Sequence, residues 1–62
     1  MLDVRIIRQA TGFSQAGFAA AYRIPPRALE EWEQGKRQPS GAACALLLAI
    51  QREPETMRRL LA

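Results

Sequence analysis

Residues 23–35 read R-I-P-P-R-A-L-E-E-W-E-Q-G. Two prolines stand directly before a segment that otherwise favours a helix, and Arg27 follows them at once. A helix start carries the positive end of the backbone dipole, so an arginine there costs about 0.3–1 kcal/mol. A phosphate or a guanine edge beside it would reverse that sign, since a guanidinium bonds either one through its fork of N–H groups. The chemistry this stretch offers is recognition rather than bond-making.

Bond-making chemistry has few candidates elsewhere. Cys44 is the one cysteine and there is no histidine, so neither an internal disulfide nor a Cys/His zinc site is available to a single chain. Cys44 lies in an Ala-rich apolar run and reads as an inert core thiol, in a compartment that tolerates one: the cytoplasm. There is no glycine-rich phosphate loop, no carboxylate pair in an expected cleft, and too little chain to enclose a substrate. The reading is no enzyme, no cofactor and no metal. Nine Lys and Arg against six Asp and Glu, with a pI near 10.0, suit a polyanionic partner, although many small soluble proteins are as basic. The longest apolar run, Ala42 to Ile50, is too short to span a bilayer, and M-L-D-V-R-I-I-R lacks the order of a signal peptide. No membrane partner is expected.

Short helices must position these residues. Leu2, Ile6, Ile7 and Ala10 share one helical face, with Arg5, Arg8 and Gln9 elsewhere. Gly12 is placed to stop this first helix in a left-handed conformation. Ser14 opens a second helix, but Gly17 stands where a full capping box wants Glu or Gln. Phe18, Ala19 and Tyr22 form its inward face, and the run Ala19 to Ala21 keeps it slim. Arg23-Ile24-Pro25 must turn, because Pro25 disfavours a helical Ile24. Pro26 suits the first position of a third helix, which runs to about Gln34 with Leu29 and Trp32 on one face and Gly35 as its stop. Phe18 and Trp32 are read as core. After the basic loop Lys36-Arg37-Gln38-Pro39, Ser40 caps a fourth helix to about Gln51, with Ala43, Leu46, Leu47 and Ile50 inward. Pro54 starts a last helix whose Glu53, Glu55, Arg58 and Arg59 suit its dipole and whose apolar side is Met57, Leu60 and Leu61.

Five short helices and no strand make the class all-α: a compact five-helix bundle forming one domain over residues 1–62. At 62 residues it buries only about 60% of the surface its unfolded chain exposes, so the core is thin. The tight turn between the second and third helices is the helix-turn-helix arrangement.

Ser14-Gln15, Phe18-Ala19, Ile24, Leu29 and Trp32-Glu33-Gln34-Gly35, with Arg37 and Pro39, resemble the helix-turn-helix domain of the Cro/CI (XRE-type) family. The resemblance runs from about Ile7 to Pro54 and implies a lambda-repressor-like DNA-binding domain. The tail P-S-G-x-A, with its L-L and later P-E, is similar to a subgroup that includes the DNA-binding domains of MqsA-type and HigA-type antitoxins. Two positions depart from the family. Arg23 stands where a turn glycine is usual, and Pro25 where a small polar residue usually caps the third helix. Losing that cap costs about 1 kcal/mol, offset in part by the rigidity of the prolines.

The resemblance places the start of the third helix in the major groove of double-stranded DNA. Pro26, Arg27 and Glu31 then face base edges, with Ala28 and Glu30 flanking. Arg27 can take guanine O6 and N7, Glu31 can accept from cytosine N4, and Pro26 can touch a thymine methyl. Each has a plainer reading: a solvated arginine, an ordinary polar helix position, a helix-starting proline. Ser14 and Gln15, and across from them Lys36, Arg37 and Ser40, would hold phosphates and set the register. The family also implies a structural ion pair between Arg8 and Glu33. The leading expectation is a sequence-specific transcriptional repressor, and a homodimer on an inverted-repeat operator would double the base contacts. Met57, Leu60 and Leu61 are the candidate dimer surface, or else a lid over the core. The alternative function is an antitoxin that binds and neutralises a toxin protein and represses its own operon. No extension in this chain is suited to wrapping a toxin, so the helices themselves, or a segment outside the chain, would have to bind one.

Overall fold

A computed structural model describes residues 2–62. Five helices follow one another: α1 (Val4–Thr11), α2 (Gln15–Ala21), α3 (Pro26–Gln34), α4 (Gly41–Arg52) and α5 (Pro54–Leu60). There is no strand among the described residues, and no helix is long and apolar enough to cross a membrane. α2 packs on α3, α4 on α5, and α1 against both α3 and α4, within 29 × 21 × 18 Å.

The side chains expected to open α2 and α4 do so. Ser14 Oγ accepts from the Gly17 N–H at 3.0 Å, and Ser40 Oγ from the Ala43 N–H at 3.2 Å. A Cβ at position 17 would sit 3.1 Å from Ser14 Oγ, so glycine there leaves room for the cap. Asp3 does the same for α1, accepting from the Ile6 N–H at 3.2 Å. The face that α1 buries differs from the expected one. The helix starts at Val4, and its inward stripe is Val4, Ile7, Arg8 and Thr11, at the i, i+3, i+4, i+7 spacing of one face. Ile6 is 60% exposed and Ala10 is exposed, contrary to the expected grouping of Leu2, Ile6, Ile7 and Ala10. Arg8, expected to point elsewhere, is on the inward stripe.

The core holds Val4, Ile7, Phe18, Ala19, Tyr22, Ile24, Leu29, Leu47 and Ile50. Tyr22 packs against Phe18 with ring centroids 4.9 Å apart and meets Phe13 edge-on at 6.1 Å. Trp32, Leu46, Met57 and Leu61 lean on this core without being fully buried, so Trp32 is a flank of the core where Phe18 is its centre. Cys44 is half-buried, its Sγ 3.7 Å from the Pro39 carbonyl oxygen.

α3 ends in a Schellman motif. Gly35 takes φ 76°, its N–H donates to the Trp32 carbonyl, and the Lys36 N–H reaches back to the Glu31 carbonyl at 2.9 Å. α2 ends with the same long return, from the Ile24 N–H to the Ala19 carbonyl at 2.9 Å. The residue in the glycine position of that motif is Arg23, at φ 55°. Its Nε donates to the Leu61 carbonyl at 2.6 Å, while Tyr22 Oη donates to the Pro54 carbonyl at 3.0 Å. Adjacent turn residues thus tie α5 at both ends. A non-glycine residue in this conformation costs roughly 1–2 kcal/mol. Arg23→Ala keeps that cost and loses the bond to Leu61, whereas Arg23→Gly loses the bond but relieves the backbone. Urea unfolding is expected to find the glycine variant more stable than the alanine variant by about 1 kcal/mol; the reverse order would mean that the turn is not strained.

Candidate nucleic-acid interface

α3 presents one outward face. Arg27, Glu30, Glu31 and Gln34 recur at i, i+3, i+4, i+7, while Leu29 points into the core. Pro26, Arg27, Glu30 and Gln34 are exposed, Glu31 is half-buried, and Ala28 is half-buried toward the protein. Pro26, Arg27, Glu30, Glu31 and Gln34 line an open depression along the helix with Lys36. Gln34 was not singled out in the sequence, because it sits last before the stop at Gly35. Its spacing of seven residues from Arg27 was the available signal.

Pro25 precedes α3 with no side-chain cap, as its chemistry requires, and Pro26 occupies the first turn. The start of α3 is left with free N–H groups and one exposed arginine. The Arg27 side chain is 90% exposed, its Nε 3.8 Å from Glu31 Oε2. Arg37 reaches the same carboxylate from the loop, Nη1 to Oε1 at 3.6 Å. Lys36, Arg37 and Ser40 are exposed ahead of α4. Ser14 is exposed at the start of α2 and Gln15 is half-buried beside it.

Arg8 and Glu33 meet in a bidentate pair. Arg8 Nε donates to Glu33 Oε2 at 2.7 Å and Nη2 to Oε1 at 3.0 Å. The Glu33 side chain is only 1% exposed. Arg8 Nη1 also donates to the Phe13 carbonyl at 3.1 Å, immediately before Ser14. One guanidinium therefore joins α1, the entry to α2 and the end of α3. Arg5 stands 3.8 Å from Glu33 Oε1 on the solvent side. The Arg8 hydrogen bonds hold the Glu33 carboxyl below its ordinary 4.5 against the opposing effect of burial, with smaller contributions from Gln15 and Arg5. The pair raises the Arg8 guanidinium in turn. No buried side-chain N or O among the described residues lacks a partner.

The tight α2–α3 turn, the exposed face of α3 and the Arg8 brace together form a helix-turn-helix unit, and residues 4–50 match the helix-turn-helix family. The chain belongs to that family, of the Cro/CI (XRE) type. The family is one of DNA-binding domains. The chain is also 41% identical over 55 residues to the protein named Antitoxin HigA-2 of Vibrio cholerae serotype O1. The match takes in 89% of this chain and 53% of that relative, so the chain spans about half the relative's length. No solved structure matches it at a significant level. Within this helix-turn-helix frame α3 is the second helix of the motif, and Arg27 is the exposed cation on its first turn.

Proposed function

We propose that this chain is a sequence-specific reader of double-stranded DNA, acting in the cytoplasm as a repressor that binds an inverted-repeat operator as a homodimer. The observation that carries this is the outward face of α3. It has an exposed arginine on the first turn, a partly covered glutamate one turn on, and basic loop residues beside them. Pro26, Arg27 and Glu31 face base edges in this reading. Ser14, Gln15, Lys36, Arg37 and Ser40 take phosphates and set the register. Residues 1–62 act as one domain, and Arg8 with Glu33 is its structural brace.

On α5 the three apolar residues divide. Met57 and Leu61 lie against the chain's own core, which is the lid geometry, and Leu60 is 72% exposed. Leu60 is the member left for a second copy. Selection from a random duplex pool tests the whole reading. An enriched inverted repeat, its half-sites about one helical turn apart, is expected. Weak, salt-sensitive binding to every duplex with no enrichment would overturn it. Leu60→Asp is expected to keep the helical circular dichroism signal, shift sedimentation toward monomer, and weaken operator binding about ten-fold or more. An unchanged mass would place the dimer surface elsewhere.

The name of the 41% identical relative favours a second reading. In it the chain, or a longer protein containing it, neutralises a toxin protein and represses its own operon. Co-expression with the product of an adjacent small gene tests this. Rescue of growth supports it, and the absence of any toxic neighbour sinks it while leaving the DNA reading in place.

A further inference from the structure

Glu31 stands between two arginines of the proposed DNA face. Its carboxylate lies 3.8 Å from Arg27 Nε and 3.6 Å from Arg37 Nη1. Its backbone carbonyl accepts from the Lys36 N–H at 2.9 Å and the Arg37 N–H at 3.4 Å. One residue thus anchors the backbone of the basic loop and also meets the side chains on both sides of it. Glu31 is the covered member of the trio, 24% exposed against 90% for Arg27 and 74% for Arg37. Exposed ion pairs of this length add little to stability, so holding the fold together is a poor account of them. Position is a better one. Arg27 is approached at Nε, next to the stem, so its two terminal nitrogens are left for the solvent side. Those nitrogens are the fork that guanine O6 and N7 accept from. A carboxylate occupied by two guanidinium groups is, by contrast, badly placed to accept from cytosine.

We infer that Glu31, although it lies on the face turned toward base edges, is a positioning and specificity residue that takes no base itself. Its carboxylate aims Arg27 at guanine and subtracts one charge from the Arg27–Arg37 pair, weakening attraction to DNA of every sequence. The inference rests on the reading of this face as the DNA surface. Non-specific affinity comes from neutralising phosphates, and a negative charge within the Debye length of about 10 Å at 0.1 M salt opposes it. Removing that charge raises affinity for random duplex roughly three-fold and steepens the salt slope by up to about 0.9. Releasing Arg27 lowers its preference for guanine by roughly two- to five-fold.

The test runs random-pool selection and random-duplex affinity at two salt concentrations on the wild type, Glu31→Gln, Glu31→Asp and Arg27→Ala. Circular dichroism checks that each variant is folded. Glu31→Gln is expected to bind random duplex more tightly and to lose the same guanine that Arg27→Ala loses. Glu31→Asp, one methylene too short to reach both arginines, keeps the wild-type affinity for random duplex but loses guanine preference. Loss of a cytosine at a position untouched by Arg27→Ala would make Glu31 a base reader and overturn the inference. An unchanged motif and unchanged random affinity in Glu31→Gln would overturn it too, while an enriched wild-type motif kept the DNA reading intact. If the wild type enriched nothing, both would fall.

Discussion

Glu33→Gln is expected to lower the free energy of unfolding by about 3 kcal/mol, the low end of the cost of breaking a buried ion pair. The low end applies because glutamine keeps the shape and can still accept one bond from Arg8. The carboxylate it replaces is 1% exposed and takes two hydrogen bonds from the Arg8 guanidinium at 2.7 and 3.0 Å. In the variant Arg8 is a charge facing a neutral amide in the same enclosed site. A domain of this size has a total stability of roughly 3–9 kcal/mol, so the variant sits close to its unfolding threshold. Each kcal/mol shifts Tm by about 4–8 °C in so small a domain, and a drop of roughly 12–24 °C follows.

The same pair sets part of the acid response. The Glu33 carboxyl titrates below its ordinary 4.5 in the folded chain, chiefly because Arg8 bonds its charged form. A group depressed in this way contributes stability that is present above the unfolded-chain value and is lost as pH falls through the folded one. Wild-type stability is therefore expected to fall as pH drops below about 4.5. Glu33→Gln should show a flatter profile there, retaining only the shallow dependence of exposed carboxyls such as Glu55, which Arg58 also depresses. Urea unfolding at pH 7 and at steps down to pH 2 measures both effects. A loss under about 1 kcal/mol with an unchanged acid profile would show that the brace carries no stability. Because Arg8 also bonds the Phe13 carbonyl, it links the end of α3 to the entry to α2. Weaker operator binding in a Glu33→Gln chain that remains folded would locate that coupling.

Arg27→Ala is expected to weaken binding to the selected operator by about 1–3 kcal/mol per half-site, roughly 5- to 150-fold. The selected motif should lose its preference at a guanine. The side chain is 90% exposed and its one ion pair among the described residues is with Glu31, so the change is expected to leave Tm within a few degrees. This separation is what makes the variant informative: a fold effect and a recognition effect come from different residues. A loose phosphate contact by Arg27 would give a different result, a uniform loss across all sequences with the salt slope reduced by about one. That outcome would move Arg27 from base reading to register setting. Fluorescence anisotropy on operator and scrambled duplexes at two salt concentrations distinguishes the two.

The elements were readable from local chemistry. Ser14 and Ser40 opened their helices, Gly12 and Gly35 closed theirs at φ 83° and 76°, and Pro26 and Pro54 started α3 and α5. These signals act over three or four residues, so they need no knowledge of the fold. The α1 face was misread because apolar residues alone were used to set it: packing on α3 and α4 covers the stripe Val4, Ile7, Arg8 and Thr11, two of them polar, and leaves Ile6 60% exposed. The Arg8–Glu33 pair was named through the family resemblance alone, since nothing in either residue's neighbourhood points across their sequence separation of 25.

By itself the sequence determined an all-α chain, its helix boundaries to within a residue or two, a helix-turn-helix with an arginine on the first turn of its second helix, and a basic loop following it. Capping, propensity and periodicity are local, and each is written in consecutive residues. Only the tertiary structure decided that Glu31 is shared by Arg27 and Arg37, that Met57 and Leu61 cover the core while Leu60 does not, and that Arg23 holds a left-handed turn with its side chain on the Leu61 carbonyl. Those outcomes depend on how helices cross and how far side chains reach between them. A charge pattern along one strand of text does not encode that distance until the core has packed.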